Sequence, residues 1–329
     1  MLRRVFSVFE PFILTLVGTV VLASLLPPRG ALVPLFNGAS TVGIVLLFFL
    51  HGAKLSREAI LAGARNWRLH LAAFAATYVL FPLLGLGFTA LPVISGPVAA
   101  GMLFLTLLPS TVQSSIAFTS IARGNVAAAV CSASLSNLIG VILTPALVAV
   151  LMQGGGTGGG TGGGVTFASV EAIFMQLLLP FLIGHLLRPV IGNWVHRHKK
   201  LVTLVDRGSI LLVVYTAFGA AVVEGLWHRL GPVELATILI LCSLLLAIVL
   251  AATWGAARLM RLSREDAIVL LFCGSKKSLA SGVPMAGVLF PASQVGLVIL
   301  PLMLFHQLQL IACAIIARRM AESSTTAGE

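Results

Sequence analysis

Ten long apolar runs, separated by short polar intervals, occupy most of this chain. They lie near residues 9–26, 31–50, 67–90, 96–122, 126–152, 168–190, 204–223, 233–257, 267–289 and 293–317. An α-helix needs about 20 apolar residues to cross a bilayer, so the pattern predicts an all-α integral membrane protein with ten transmembrane helices. Between Met152 and Val165 the chain is almost pure glycine with two threonines, a flexible coil with nothing to pack. That coil sets five runs before it and five after. The expected organisation is a first five-helix repeat over 1–152, a Gly-rich linker over 153–166, a second repeat over 167–317 and a cytoplasmic tail over 318–329.

Composition rules out water as the main solvent. A soluble domain carries about 25% charged residues, whereas this one has 9% charged and 58% hydrophobic residues among 329, with a mean hydropathy of +1.07. The net charge of +11 would suggest nucleic acid in a soluble protein. Here it reads as topology, because Lys and Arg are retained on the cytoplasmic side. With the N-terminus inside, 17 of the 21 Lys and Arg fall on cytoplasmic segments, Arg29 and Arg229 fall outside, and Lys276 and Lys277 stand within the ninth run. A nine- or eleven-span map scrambles this partition, so both termini are expected in the cytoplasm and no nucleic-acid partner is implied. Met1-Leu2-Arg3-Arg4 resembles a signal peptide, but Glu10-Pro11 interrupts the run and an uncleaved first span is the reading. Leu-Ser-Arg-Glu occurs at 55–58 and 262–265, where Ser56 and Ser263 are expected to cap helix starts. Cys131, Cys242, Cys273 and Cys313 lie in apolar stretches and read as small core residues rather than disulfide or metal ligands.

Five spans per half means that two halves of one fold enter the membrane in opposite orientations. Secondary transporters use this inverted plan, with interrupted helices at matching positions. The fourth and ninth spans supply a matching pair: Gln113-Ser114-Ser115-Ile116-Ala117 lies over Lys276-Lys277-Ser278-Leu279-Ala280, after Pro109 and Gly274 respectively. A broken helix is tolerated at membrane depth only where protein or water meets its freed backbone groups. Ser110, Thr111, Gln113, Ser114 and Ser115 place neutral oxygens and amides there, suited to an alkali cation or the polar end of a solute. Lys276 and Lys277 follow Glu265 by about eleven residues, roughly 17 Å along a helix, near mid-membrane. A charge there costs at least about 2.5–3.5 kcal/mol, so such residues default to a functional role. Ser132, Ser136 and Asn137 in the fifth span and His306, Gln307 and Gln309 in the tenth are weaker candidates for lining the same cavity. Interhelical hydrogen bonding explains them equally well. His196-Arg197-His198-Lys199-Lys200 reads as a solvated loop near anionic headgroups.

At these residues the sequence resembles the bile acid:sodium symporter superfamily, and within it a bacterial branch of bile-acid-symporter-like sodium-dependent transporters. The resemblance runs from the first span to the tenth and is carried by the strings at 48–56, 108–115, 122–126 (Ala-Arg-Gly-Asn-Val), 143–145 and 274–280. It implies a core of spans 3–5 and 8–10, a panel of spans 1, 2, 6 and 7, fourth and ninth helices that are broken and cross at the midplane, and alternating access by motion between the two. It also implies a bacterial inner (plasma) membrane location. Departures from the family matter as much. Where sodium-coupled members carry a Ser-Asn pair this chain has Ser114 and Ser115, and where they carry a glutamate and a glutamine it has Phe272 and Lys276. Sodium near Ser114 and Ser115 is thereby placed in doubt: a unit charge 4 Å away repels it by about 4 kcal/mol at an effective dielectric of 20. The expectation is a lysine ammonium in the place of a coupling cation, with sodium or proton as candidate coupling ions and no other cofactor.

The sequence is thus read as a secondary transporter, symporter-like, for a small organic and anionic solute. The competing reading is a non-transporting membrane sensor or regulator of ion homeostasis with the same fold. No Walker motif, Asp pair or metal-ligand cluster points to a nucleotide-driven pump or an enzyme. The bilayer and the solute are the expected partners, with the oligomeric state left open.

Overall fold

The computed structural model describes residues 11–54, 66–91, 96–152, 171, 174–229 and 231–323. Met1–Glu10 with Arg3 and Arg4, the Ser56-Arg57-Glu58 string and the Gly-rich linker lie outside them. Among the described residues the chain is helical without strands: α1 (Pro11–Leu25), α2 (Leu32–Lys54), α3 (Trp67–Thr89), α4 (Gly96–Leu107), α5 (Gln113–Ile121), α6 (Val126–Leu151), α7 (Phe174–Arg197), α8 (Lys199–Val223), α9 (Pro232–Leu259), α10 (Arg264–Gly274), α11 (Leu279–Leu289) and α12 (Ala292–Ser323), with one further turn at Leu226–Arg229. Seven of these (α2, α3, α6, α7, α8, α9 and α12) are long and apolar enough to cross a membrane. Of the other three apolar runs, the first is described from Pro11 on as α1, and the fourth and ninth each split into two short helices.

Helix ends outrun the hydrophobic pattern. The apolar run ending at 190 continues as helix to Arg197, the one beginning at 204 starts at Lys199, and the last extends to Ser323. Basic residues expected in loops therefore sit on terminal helical turns, where long side chains cover apolar surface and keep their charge at its edge. Arg207 lies over the Phe12 ring at 5.2 Å and Arg258 over Trp254 at 5.4 Å. Ser263 caps α10 as expected, its Oγ accepting from the Asp266 N–H at 3.2 Å. The C-terminus of α9 closes with Leu262 N–H to Ala257 O and Arg261 N–H to Arg258 O, and that of α5 with Gly124 N–H to Thr119 O and Arg123 N–H to Ser120 O. Both pairs form the Schellman closure, which needs a left-handed residue. Arg261 (φ 53°) and Arg123 (φ 58°) occupy that position instead of glycine.

The contacts gather into two compact units, each assembled from both halves of the sequence. Unit 1 comprises 1–55, 149–232 and 282–299; unit 2 comprises 56–148, 233–281 and 300–329. Within unit 1, α2 and α7 approach backbone to backbone. A Cβ on Gly52 would strike Phe181 O, and a Cβ on Gly184 would strike Phe49 O, so only glycine fits at either place. Leu50 and Ala53 near the end of α2 join Val195 of α7 and Val202 of α8 in one buried apolar cluster. Lys54 of α2 pairs with Asp206 of α8 in the same unit.

Within unit 2, α3 carries a wide turn with i→i+5 bonding at Ala76–Leu80, closed by Phe81 N–H on Ala76 O. The next residue along, Pro82, has no N–H to give. Thr77 O is therefore left without a helical donor.

Candidate functional site

Everything in this site follows from one question: what satisfies the backbone groups that broken helices leave open. In the fourth run, α4 ends at Leu107 and α5 begins at Gln113; in the ninth, α10 ends at Gly274 and α11 begins at Leu279. Pro109 lies in the first break and Gly274 immediately precedes the second, as the sequence predicts. The two starts do not coincide in register. Gln113 opens its helix, whereas Lys276, laid over it in sequence, stands in the non-helical stretch three residues before α11 opens.

The breaks satisfy each other. Ser110 Oγ donates to Cys273 O at 2.6 Å, Ser115 Oγ to Phe272 O at 3.0 Å, and Ser278 N–H to Pro109 O at 2.9 Å. Lys276 Nζ donates to Ser114 O at 3.0 Å, and Lys277 Nζ to Leu108 O at 2.7 Å. Neighbouring helices supply what remains. Thr144 Oγ1 of α6 donates to Leu107 O, Asn137 Nδ2 to Ser110 O, and Ser136 Oγ accepts from Ser110 N–H. From Thr106 to Ser110, all five consecutive carbonyls have a donor, and each donor lies outside that stretch.

The adjacent lysines have different surroundings. Both are fully buried, at 0% exposure. Lys277 Nζ donates to three main-chain carbonyls: Thr77 O at 2.8 Å, Thr106 O at 2.8 Å and Leu108 O at 2.7 Å. Its ammonium also faces the Phe81 ring at 4.2 Å and Tyr78 at 5.8 Å. Among the described residues Lys276 makes one bond, to Ser114 O, and otherwise meets aromatic faces, Phe118 at 4.0 Å and Phe272 at 5.2 Å. Cation–π contact attracts an ammonium but accepts no proton along a fixed direction, so two of its N–H groups stay uncommitted. Among the described residues neither lysine has an ion pair; the one found is Lys54 with Asp206.

The Lys277 backbone is held from α12. Its N–H donates to Gln309 Oε1 and its carbonyl accepts from Gln309 Nε2, each at 2.9 Å. This fixes the amide orientation, so the Nε2···Nδ1 contact to His306 at 2.8 Å makes His306 Nδ1 the acceptor. Thr111 Oγ1 bonds with Ser114 Oγ and Ser115 Oγ, while Ser281 Oγ donates to Asn137 Oδ1 and meets Ser278 Oγ at 3.1 Å.

Of the residues singled out in the sequence, Ser110, Thr111, Ser114, Ser115, Ser136, Asn137, Lys276, Lys277 and Ser278 thus belong to one network, with His306 attached through Gln309. Gln113 is exposed at the start of α5, Ser132 is buried one turn before Ser136, and Gln307 is half-buried; none of the bonds above involves them. Sequence reasoning missed Thr77, Thr106 and Leu108, which take part through backbone oxygen, and Ser281. Pro82, five residues after Thr77, was the available signal for an orphaned carbonyl.

The chain matches the SBF-like CPA transporter family over residues 10–322. It is 53% identical to the Escherichia coli (strain K12) protein named "Putative symporter YfeH", covering 96% of this chain and 94% of that one. It is 54% identical to the Pseudomonas aeruginosa protein PA2026 over 95% and 93% of the two chains. It is 26% identical to the rat sodium/bile acid cotransporter 7 over 83% and 80%. With nearly the whole length matched and half the residues shared with the bacterial relatives, this membrane-embedded helical chain belongs to the SBF-like CPA transporter family.

Proposed function

We propose that the protein is a secondary active transporter that carries a small organic anion across the bacterial inner membrane by alternating access, with Lys276 as the solute's charge partner. The observation carrying this reading is the uncommitted ammonium of Lys276. A buried cation with two N–H groups lacking acceptors suits a carboxylate or sulfonate, which takes two such bonds and neutralises the charge. Aromatic faces on Phe118 and Phe272 hold the ammonium while no anion is present. The names of its relatives, a symporter and a sodium/bile acid cotransporter, support transport as the activity class.

Several features support the finer architecture of ten spans in two inverted repeats with both termini cytoplasmic. The fourth run and the ninth, which are corresponding runs of the two halves, are each broken, though not in the same register. Unit 2 gathers most of the implied core and unit 1 most of the implied panel, although residues 282–299 group with unit 1. Sodium coupling is disfavoured by two ammonium groups where a coupling cation would bind, which leaves the proton as the coupling ion.

Uptake into proteoliposomes tests this, across a panel of organic anions with sodium and proton gradients imposed separately. Saturable anion uptake that follows the proton gradient, and is abolished in Lys276→Gln, is expected. Wild-type rates in Lys276→Gln would overturn the assignment of Lys276, and anion binding without flux would favour a sensor.

A further inference from the structure

We infer that Lys277 is a tethered cation, its ammonium filling a cage of main-chain carbonyls (Thr77, Thr106 and Leu108) that takes an alkali-metal ion when the ammonium is removed. Each wall of the cage is a carbonyl the fold has orphaned. Thr77 O lacks its donor because the wide turn at Ala76–Leu80 passes Phe81 N–H to Ala76 O and Pro82 has no proton. Thr106 O and Leu108 O lie at the end of α4, where the helix stops and Ser110 N–H turns away to Ser136 Oγ. Converging backbone oxygens in a low-dielectric interior are the ligands that replace the hydration shell of an alkali cation in membrane proteins. Here 0% exposure, three N···O distances of 2.7–2.8 Å and the Phe81 face at 4.2 Å show the place filled by the protein's own charge.

Charge is required, rather than mere hydrogen bonding. Three acceptors need three protons, and a neutral amine has two protons and a lone pair that would face an oxygen. Lys276, one residue away with one acceptor, carries no such requirement. The tethered ion cannot leave, so it holds three segments of unit 2 together without contributing a coupling gradient.

The test is thermal unfolding of the purified full-length protein, read without solute so that its failure leaves the uptake experiment untouched. Lys277→Ala empties the cage. Its melting temperature is expected to fall in choline chloride and to recover by several degrees in sodium, potassium or methylammonium chloride, while wild type and Lys276→Ala respond equally to all four salts. Lys277→Met keeps the bulk and removes the charge, and is expected to stay destabilised in every salt. A Lys277→Ala protein indifferent to the cation, or a Lys277→Met protein as stable as wild type, would overturn the inference. A measurement free of folding defects uses wild type labelled with nitrogen-15 at lysine Nζ. An ammonium resonance strongly protected from solvent exchange that persists in Lys276→Ala is expected, and its absence overturns the inference whether or not the Lys277 variants fold.

Discussion

Replacing Gln309 with leucine removes a side chain bonded to both backbone groups of Lys277. In the native protein Lys277 N–H reaches Gln309 Oε1 and Lys277 O receives Gln309 Nε2, each at 2.9 Å, with Gln309 fully buried. Leucine matches the bulk but strands a buried N–H and a buried C=O. Each such group costs about 1–3 kcal/mol, so the two together cost about 2–6 kcal/mol. Gln309→Glu, in its neutral form, keeps an acceptor for the N–H and one donor for the carbonyl but loses the second donor, to His306 Nδ1, which places it between leucine and wild type. Gln307→Leu, two residues earlier on the same helix and outside the network, is expected to be close to neutral. Thermal unfolding in detergent, followed by tryptophan fluorescence, reads the series as Gln307→Leu near wild type, then Gln309→Glu, then Gln309→Leu lowest by several degrees. If Gln309→Leu melts within about one degree of Gln307→Leu, where a loss of even 2 kcal/mol would show as several degrees, the clamp is not holding the break and the reasoning fails.

Three further outcomes follow from the packing. Gly52→Ala and Gly184→Ala each drive a methyl group into a backbone oxygen across the α2–α7 contact and should each cost at least about 1–3 kcal/mol, whereas Gly18→Ala and Gly38→Ala, with nothing within 4 Å, should be neutral or mildly stabilising in the same melts. Arg261→Gly relieves a left-handed non-glycine residue at the end of α9 and should raise the melting temperature, its gain limited to about 1 kcal/mol by the entropy glycine adds to the unfolded chain; Arg261→Ala should give no gain. The Lys54–Asp206 pair is unequal, with side chains 34% and 14% exposed, so Lys54→Met, which strands the more buried carboxylate, should destabilise more than Asp206→Asn, which leaves an ammonium able to reach water. Equal losses in that last comparison would remove the argument from burial.

Much of this protein is set by local pattern. Apolar runs of membrane length have one way to satisfy their backbone in hydrocarbon, so helices could be placed from hydropathy alone, and seven of the ten runs form single helices long and apolar enough to span. Their ends could not, because Arg197, Lys199 and Lys200 sit on helical turns while looking like loop residues in a hydropathy trace. The polar cluster from Ser110 to Ser115 and the pair Lys276-Lys277 stood out for the same energetic reason: groups expensive to bury are buried only where something meets them. Pro109 and Gly274 accompany the two breaks, but Pro145, Pro189, Pro284 and Pro301 stand inside continuous helices, so a helix-weakening residue alone does not locate a break.

Tertiary structure alone decided what meets what. Lys276 and Lys277 are neighbours of identical chemistry, and no pattern along the chain distinguishes them. They lie in a non-helical stretch where successive side chains diverge, so Lys276 turns toward Phe118 and Phe272 while Lys277 reaches Thr77, 200 residues away in sequence. The pairing of Ser110 with Cys273, and the clamp of Gln309 on Lys277, are equally invisible before folding. Hydropathy is a property each segment carries by itself, whereas a hydrogen bond belongs to a pair, and only the folded chain determines which orphaned carbonyl lies opposite which donor.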